Sequence, residues 1–139
     1  MTTEAARNFN WLLETFVEET AGVTDAMAVS SDGVLIARSE TLMGEESDLL
    51  CAIIAGTAGL AMAASSNLAA GALERVIITM ERGFLFVSAI ADGSCLGVVA
   101  TRECDVGSIG YQTSDLVHRA GELLTPDLRE ELTQRSSFG

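Results

Sequence analysis

Twenty-five consecutive residues, Leu49 to Leu73, carry no charge. At the usual quarter of residues charged, about six would fall in such a stretch. Its side chains sort by size at helical spacing. At about 100° per residue, Leu50, Ile53, Ile54, Thr57, Ala61, Ala64 and Leu68 form one bulky stripe, expected to lie on a sheet. The opposite face holds Ala52, Ala55, Gly56, Gly59, Met62, Ala63 and Ser66, where a water-facing helix normally carries charge. Three arrangements compete for that face. A transmembrane span is long enough, but mostly Ala, Gly, Ser and Thr, and its flank is acidic (Glu45, Glu46, Asp48) where Lys or Arg anchors are usual. A helix buried inside one chain is the second. The third is a helix that packs on its own sheet and also meets a second chain, its small residues letting two backbones approach. A chain of 139 residues has few other elements with which to cover both faces, which favours the third.

That length fits one domain, 1–139, with an ordered core expected at about 8–132, and it can bury a core without disulfides. The formal charge of −12 argues against nucleic acid and anionic membrane surfaces, which ask for clustered cations, and no membrane insertion is expected. Cys51, Cys95 and Cys104 are odd in number and form no C-x-x-C pair. With no basic region and apolar core at the N-terminus to mark a signal peptide, buried free thiols in the cytoplasm are the expectation.

Around the central helix, periodicity and turn residues place the other elements. A first helix is expected from Ala5 to Glu19, with Phe9, Leu12, Leu13, Phe16 and Val17 on one side, ending at Ala21-Gly22. Asp25–Ser30 and Val34–Ser39 read as strands joined by Ser31-Asp32-Gly33, a hairpin signal. Ser47 or Glu46 is placed to cap the central helix, expected to end near Gly71. Arg75–Glu81, Phe84–Ile90 and Cys95–Thr101 follow as strands with short turns, which makes them an antiparallel meander. FLFVSAI and CLGVVAT are apolar at nearly every position, so both faces of the sheet must be covered. A last helix, Val106–Leu124 with Asp105 as cap, is broken by Thr125-Pro126 and followed by a short helix, Pro126–Gln134. The order is α-β-β-α-β-β-β-α: an α/β sandwich with a five-stranded antiparallel sheet and helices on both faces.

No chemistry-bearing motif stands out. There is no phosphate-binding loop of either common glycine-rich type. His118, the one histidine, lies at helical spacing from Asp115 and Glu122 and reads as a surface or half-buried residue, not a base. Cys95, Cys104 and His118 match no usual zinc spacing. Glu45, Glu46 and Asp48 suit a solvated helix start. No catalytic, cofactor or metal residue is assigned.

Several short stretches, in this order, resemble the Roadblock/LC7 family, most closely its actinobacterial members. They are Asn10-Trp11-Leu12-Leu13, Val29-Ser30-Ser31-Asp32-Gly33, Met80 to Val87, Cys104-Asp105-Val106-Gly107 with Gly110-Tyr111, and Leu124-Thr125-Pro126. The likeness spans about Asn8 to Leu132. It implies a protein that is not an enzyme, needs no cofactor, forms homo- or heterodimers and binds a small Ras-like GTPase as regulator or scaffold. Bacterial relatives partner with a GTPase of the gliding-motility type, and actinobacterial ones are encoded beside a sensor-kinase-like protein, a further expected partner. The family dimer joins two sheets through the strand after the central helix, here Arg75, Val76, Ile77, Ile78 and Thr79 onward, with the central helices side by side. Arg82 falls in a turn, which fits a hairpin residue better than an arginine finger.

The expected function is therefore a dimeric, cytoplasmic GTPase-binding regulator, with Glu45, Glu46 and Asp48 as an acidic rim that steers the partner. The alternative is a small-molecule sensor module, for which one Trp, one Tyr and five Phe are thin pocket material.

Overall fold

The computed structural model describes residues 4–39, 45–90, 93–128 and 130. The elements are α1 (Glu4–Glu19), β1 (Val23–Val29), β2 (Leu35–Arg38), α2 (Glu45–Asn67), β3 (Arg75–Met80), β4 (Gly83–Ala89), β5 (Cys95–Thr101) and α3 (Val106–Leu123). Their order is the expected one. The five strands form one antiparallel sheet in the order β2-β1-β5-β4-β3, which leaves β2 and β3 at the edges.

Helices α1 and α3 cover one face of the sheet. Phe9, Leu12, Leu13 and Phe16 of α1 meet Ile109, Leu116 and Ala120 of α3 above Ala26, Ala28, Phe86 and Val98. Helix α2 covers the other face alone, over Met27, Val29, Leu85, Val87 and Cys95. Both sides of β4 and β5 are thus buried, which is why their sequences are apolar throughout.

Local chemistry sets the corners. The α1–β1 turn runs through Gly22 at φ +90°. In the β1–β2 hairpin, Ser30 N–H donates to Val34 O at 2.9 Å and Gly33 takes φ +86°. Asp105 caps α3, its carboxylate accepting from Ser108 N–H at 3.2 Å. Thr125 Oγ1 accepts from Leu128 N–H at 3.1 Å, which starts the turn after Pro126. Residues 126–128 and 130 are helical; the rest of the expected Pro126–Gln134 helix lies outside the described residues.

Helix α2 departs from expectation in three ways. It ends at Asn67, not near Gly71. Ala70 N–H bonds back to Ser65 O at 2.9 Å, Ala69 turns left-handed at φ 52°, and the chain is released toward β3. Neither Ser47 nor Glu46 caps it, because the helix already begins at Glu45 and Ser47 is buried inside it. Most important, its inward face is rotated from the bulky stripe. Cys51, Ile54 and Ala58 are the fully buried apolar positions, whereas Ile53, Ala64 and Leu68 are exposed. The sheet explains the rotation. Gly97 of β5 leaves a socket that Ile54 Cδ1 fills, and small Cys51 and Ala58 beside it let the helix sit close. By length and composition Ser47–Asn67 could cross a membrane, with mean hydropathy 1.8. It is seated on the sheet through this narrow seam, and only 17% of that window is buried.

One buried acid has a testable consequence. Asp25 of β1 is 2% exposed. Its Oδ1 accepts from Ser39 Oγ and from Ala26 N–H at 3.0 Å, and its Oδ2 has no hydrogen-bond partner among the described residues. Burial raises its pKa against the lowering effects of Ser39, Ala26 and the Arg38 charge. An acid with a raised folded pKa stabilises the fold relatively at low pH. That benefit is lost as pH rises from the unfolded value, about 3.9, through the raised one. Asp25→Asn is expected to gain stability relative to wild type as pH rises across this window. Urea melts of both proteins at several pH values check it; a difference that does not change with pH overturns it.

Candidate interaction surface

Seated by Ile54 and its neighbours, α2 turns its other side to solvent. Ala52, Gly56, Gly59, Met62, Ala63 and Ser66 are all exposed or nearly so, and Ala55 is half-buried. Leu49, Ile53, Leu60 and Leu68 are exposed beside them, Leu60 and Leu68 at 77% and 72%. A large uncovered apolar face of this kind is rare on a chain that works alone. The two glycines sharpen the point. A Cβ built on Gly56 or Gly59 meets nothing within 4 Å. The chain's own packing therefore does not ask for glycine there, although each costs a helix about 1 kcal/mol relative to alanine. Close approach by another body would use them.

Beside α2 lies the free edge of β3. Its ladder to β4 is regular from Arg75 to Met80, and among the described residues its outer row of backbone N–H and C=O groups has no strand opposite. Exposed edges are usually blunted by charge, proline or a bulge. Val76-Ile77-Ile78-Thr79-Met80 has none of these. Side chains alternate: Val76 and Ile78 pack in the α2-side core, and Met80, 46% exposed, shares their parity. Arg75, Ile77 and Thr79 share the opposite parity. The Arg75 guanidinium lies on α3, donating to Gly110 O and Ser114 Oγ, each at 3.1 Å. The structure thus brings Val76, Ile78 and Met80 beside α2, while Arg75 and Ile77 belong by side chain to the other face.

Of the acidic residues at the start of α2, Asp48 is exposed in the first turns; the side chains of Glu45 and Glu46 lie outside the described residues. The remaining reactive side chains are not gathered. His118 Nε2 lies 3.2 Å from Glu122 Oε1, both well exposed on the outer side of α3. Cys51 and Cys95 are buried in the α2-side core, and burial pushes the Cys51 thiol up, away from the reactive thiolate. Burial also raises Cys104. Arg82 is exposed in the β3–β4 turn. Among the described residues no group of three or more His, Cys, Asp or Glu side chains could hold a metal ion.

Two exposed aromatics escape a reading of the sequence alone. Trp11 on α1 and Tyr111 on α3 are 63% and 80% exposed and line one depression on the face away from α2. The available signal is that Trp11 falls off the Phe9, Leu12, Leu13, Phe16 stripe.

No curated protein matches the chain. Among solved structures, it is similar to a Roadblock/LC7 domain from Streptomyces avermitilis at 29% identity and TM-score 0.74, covering 79% of this chain and 92% of that one. It shares its fold with an MglB described as having a tetrameric arrangement, at 18% identity and TM-score 0.78, covering 95% of each chain. It also shares it with the gliding protein MglB of Thermus thermophilus, at 21% identity and TM-score 0.73, covering 89% of this chain and 96% of that one. The Roadblock/LC7 domain profile matches residues 9–100, from the buried Phe9 of α1 to the end of β5, a span that includes α2 and both sheet edges, and the chain belongs to the Roadblock/LC7 family.

Proposed function

We propose that this chain is a dimeric, non-enzymatic regulator or scaffold that binds a small Ras-like GTPase in the cytoplasm of a bacterium. The observation that carries the reading is the uncharged, glycine-bearing outer face of α2 beside the unprotected edge of β3. Two copies joined at β3 would continue one sheet across the joint and set their α2 helices side by side, satisfying the open backbone row and covering the apolar face together. The likeness to an MglB described as having a tetrameric arrangement supports self-association, and membership of the Roadblock/LC7 family supports a role beside a GTPase. A sensor-kinase-like protein is a proposed further partner.

The GTPase docks across the two-fold, on what the paired α2 helices leave uncovered, where a charge-poor platform suits an interface core. Glu45, Glu46 and Asp48 form its acidic rim and act on the association rate more than on affinity. The test is binding of a purified bacterial Ras-like GTPase of the gliding-motility type, in its GTP- and GDP-loaded forms. Reversing all three acidic residues to Lys is expected to slow association about tenfold at low salt, with the loss shrinking at high salt as screening sets in. An unchanged rate at low ionic strength overturns the steering role; absence of any complex in both nucleotide states overturns the function.

A further inference from the structure

The face opposite α2 carries a second surface that dimer formation through α2 and β3 would leave open. A groove runs there between helices α1 and α3. One wall is Trp11, Thr15 and Glu19; the other is Tyr111, Asp115 and Arg119. Each wall is an i, i+4, i+8 row, and the floor is apolar, Leu12 and Phe16 against Leu116. The cavity measures about 490 Å³. A neighbouring depression of about 540 Å³ shares Glu19, Thr20 and Gln112 with it and continues toward Glu103 and Asp105.

Shape and charge together select the occupant. Walls with helical spacing and an apolar floor suit a helix laid lengthwise. Trp11 and Tyr111, the chain's one Trp and one Tyr, stand exposed in its two walls, the residue types that anchor interfaces and accept cations on their ring faces. Glu19, Glu103, Asp105 and Asp115 border the groove, against Arg119 as the one cation of its lining, itself 4.0 Å from Asp115. A second copy of this chain, at −12, is electrostatically the wrong occupant. We infer that the α1–α3 groove binds a basic amphipathic helix of a partner protein, its apolar stripe on Leu12, Phe16 and Leu116 and its Arg or Lys side chains against Trp11, Tyr111 and the acidic border.

Trp11 reports on the site directly, since no other tryptophan contributes to the emission. The probe is a synthetic amphipathic peptide of leucine and arginine of about fourteen residues, four helical turns, and a counterpart with glutamate for every arginine. The basic peptide is expected to shift Trp11 emission saturably at micromolar concentrations, and the acidic one not to do so. Tyr111→Ala, at an exposed position that the fold does not use, is expected to weaken binding about tenfold, as loss of an interface anchor does. Glu19→Gln with Glu103→Gln is expected to weaken it about fivefold, as loss of two partly exposed ion pairs does. Glu74→Gln with Glu81→Gln, equal in charge removed but at the ends of β3, is expected to leave it within about twofold. Three results overturn the inference: no saturable change, wild-type affinity in Tyr111→Ala, or equal weakening by the two charge-matched pairs.

Discussion

Gly59→Glu is expected to turn a dimer at micromolar concentration into a folded monomer. Gly59 is exposed on α2, and a side chain built there meets nothing of its own chain within 4 Å. Within one chain the change is therefore harmless, and glutamate favours a helix over glycine by roughly half a kcal/mol. Across a two-fold made by two α2 helices the same carboxylate would be buried without a partner and beside its own copy. Such a charge costs several kcal/mol, and each 1.4 kcal/mol is tenfold in affinity, so a loss of at least about a hundredfold follows. Sedimentation velocity with circular dichroism on the same samples makes the measurement. Helix content retained with the mass halved is the expected pair of results. Wild-type protein that sediments as a monomer, or a Gly59→Glu dimer, would mean that α2 faces something other than its copy.

The second large effect is on stability and sits at the opposite face. Gly22→Ala is expected to cost about 3–4 kcal/mol. An added Cβ would stand 2.6 Å from Cys104 Cβ and 3.1 Å from its Cα, atoms that cannot swing away. Gly22 is held in place, its carbonyl accepting from Thr101 N–H at 2.8 Å, so the turn cannot back off without losing the β1–β5 corner. Overpacking costs about 1–3 kcal/mol, and an L-residue at positive φ adds about 1–2 kcal/mol. Against the usual total of about 5–15 kcal/mol, the melting temperature should fall by roughly 10 °C or more. Gly71→Ala is the internal comparison. It has the same φ of +90° but open space around it, so only the conformational part of the cost remains, about 1–2 kcal/mol. Equal losses at the two sites would show that the approach of Cys104 is not the cause.

Where the chain alternates or punctuates itself, its fold is legible in its residues. Phe9, Leu12, Leu13 and Phe16 define the buried side of α1, Asp32-Gly33 marks the hairpin, and the unbroken apolar runs of β4 and β5 reveal a sheet covered twice. Helix α2 is legible as a helix but not in its orientation or its end. With no charge on either side from Leu49 onward, only bulk suggests which face turns inward, and the sheet below prefers one isoleucine in the Gly97 socket to a row of large residues. Its end at Asn67 is set by the path back to β3, in a segment rich in alanine whose breaker, Gly71, comes only later. The outer residues of α2 and strand β3 are readable as a candidate surface because they lack what exposed residues normally have. The α1–α3 groove is not, because it arises from the spacing between two helices that are 87 residues apart from the end of one to the start of the other. Asp25 reads in the sequence only as the start of a strand; its burial depends on Ser39 and its surroundings.

Helix α2 and strand β3 are consecutive in the chain, so everything proposed for self-recognition falls within one uninterrupted block, residues 45–80. That block is tied to the rest chiefly by Cys51, Ile54 and Ala58 on the sheet and by the β3–β4 ladder. A cassette exchange with a related chain that keeps those three side chains and the ladder would transplant pairing preference whole, while α1, α3 and their groove stay with the recipient. Choice of mate and choice of client can then evolve, or be engineered, on separate stretches of one short gene.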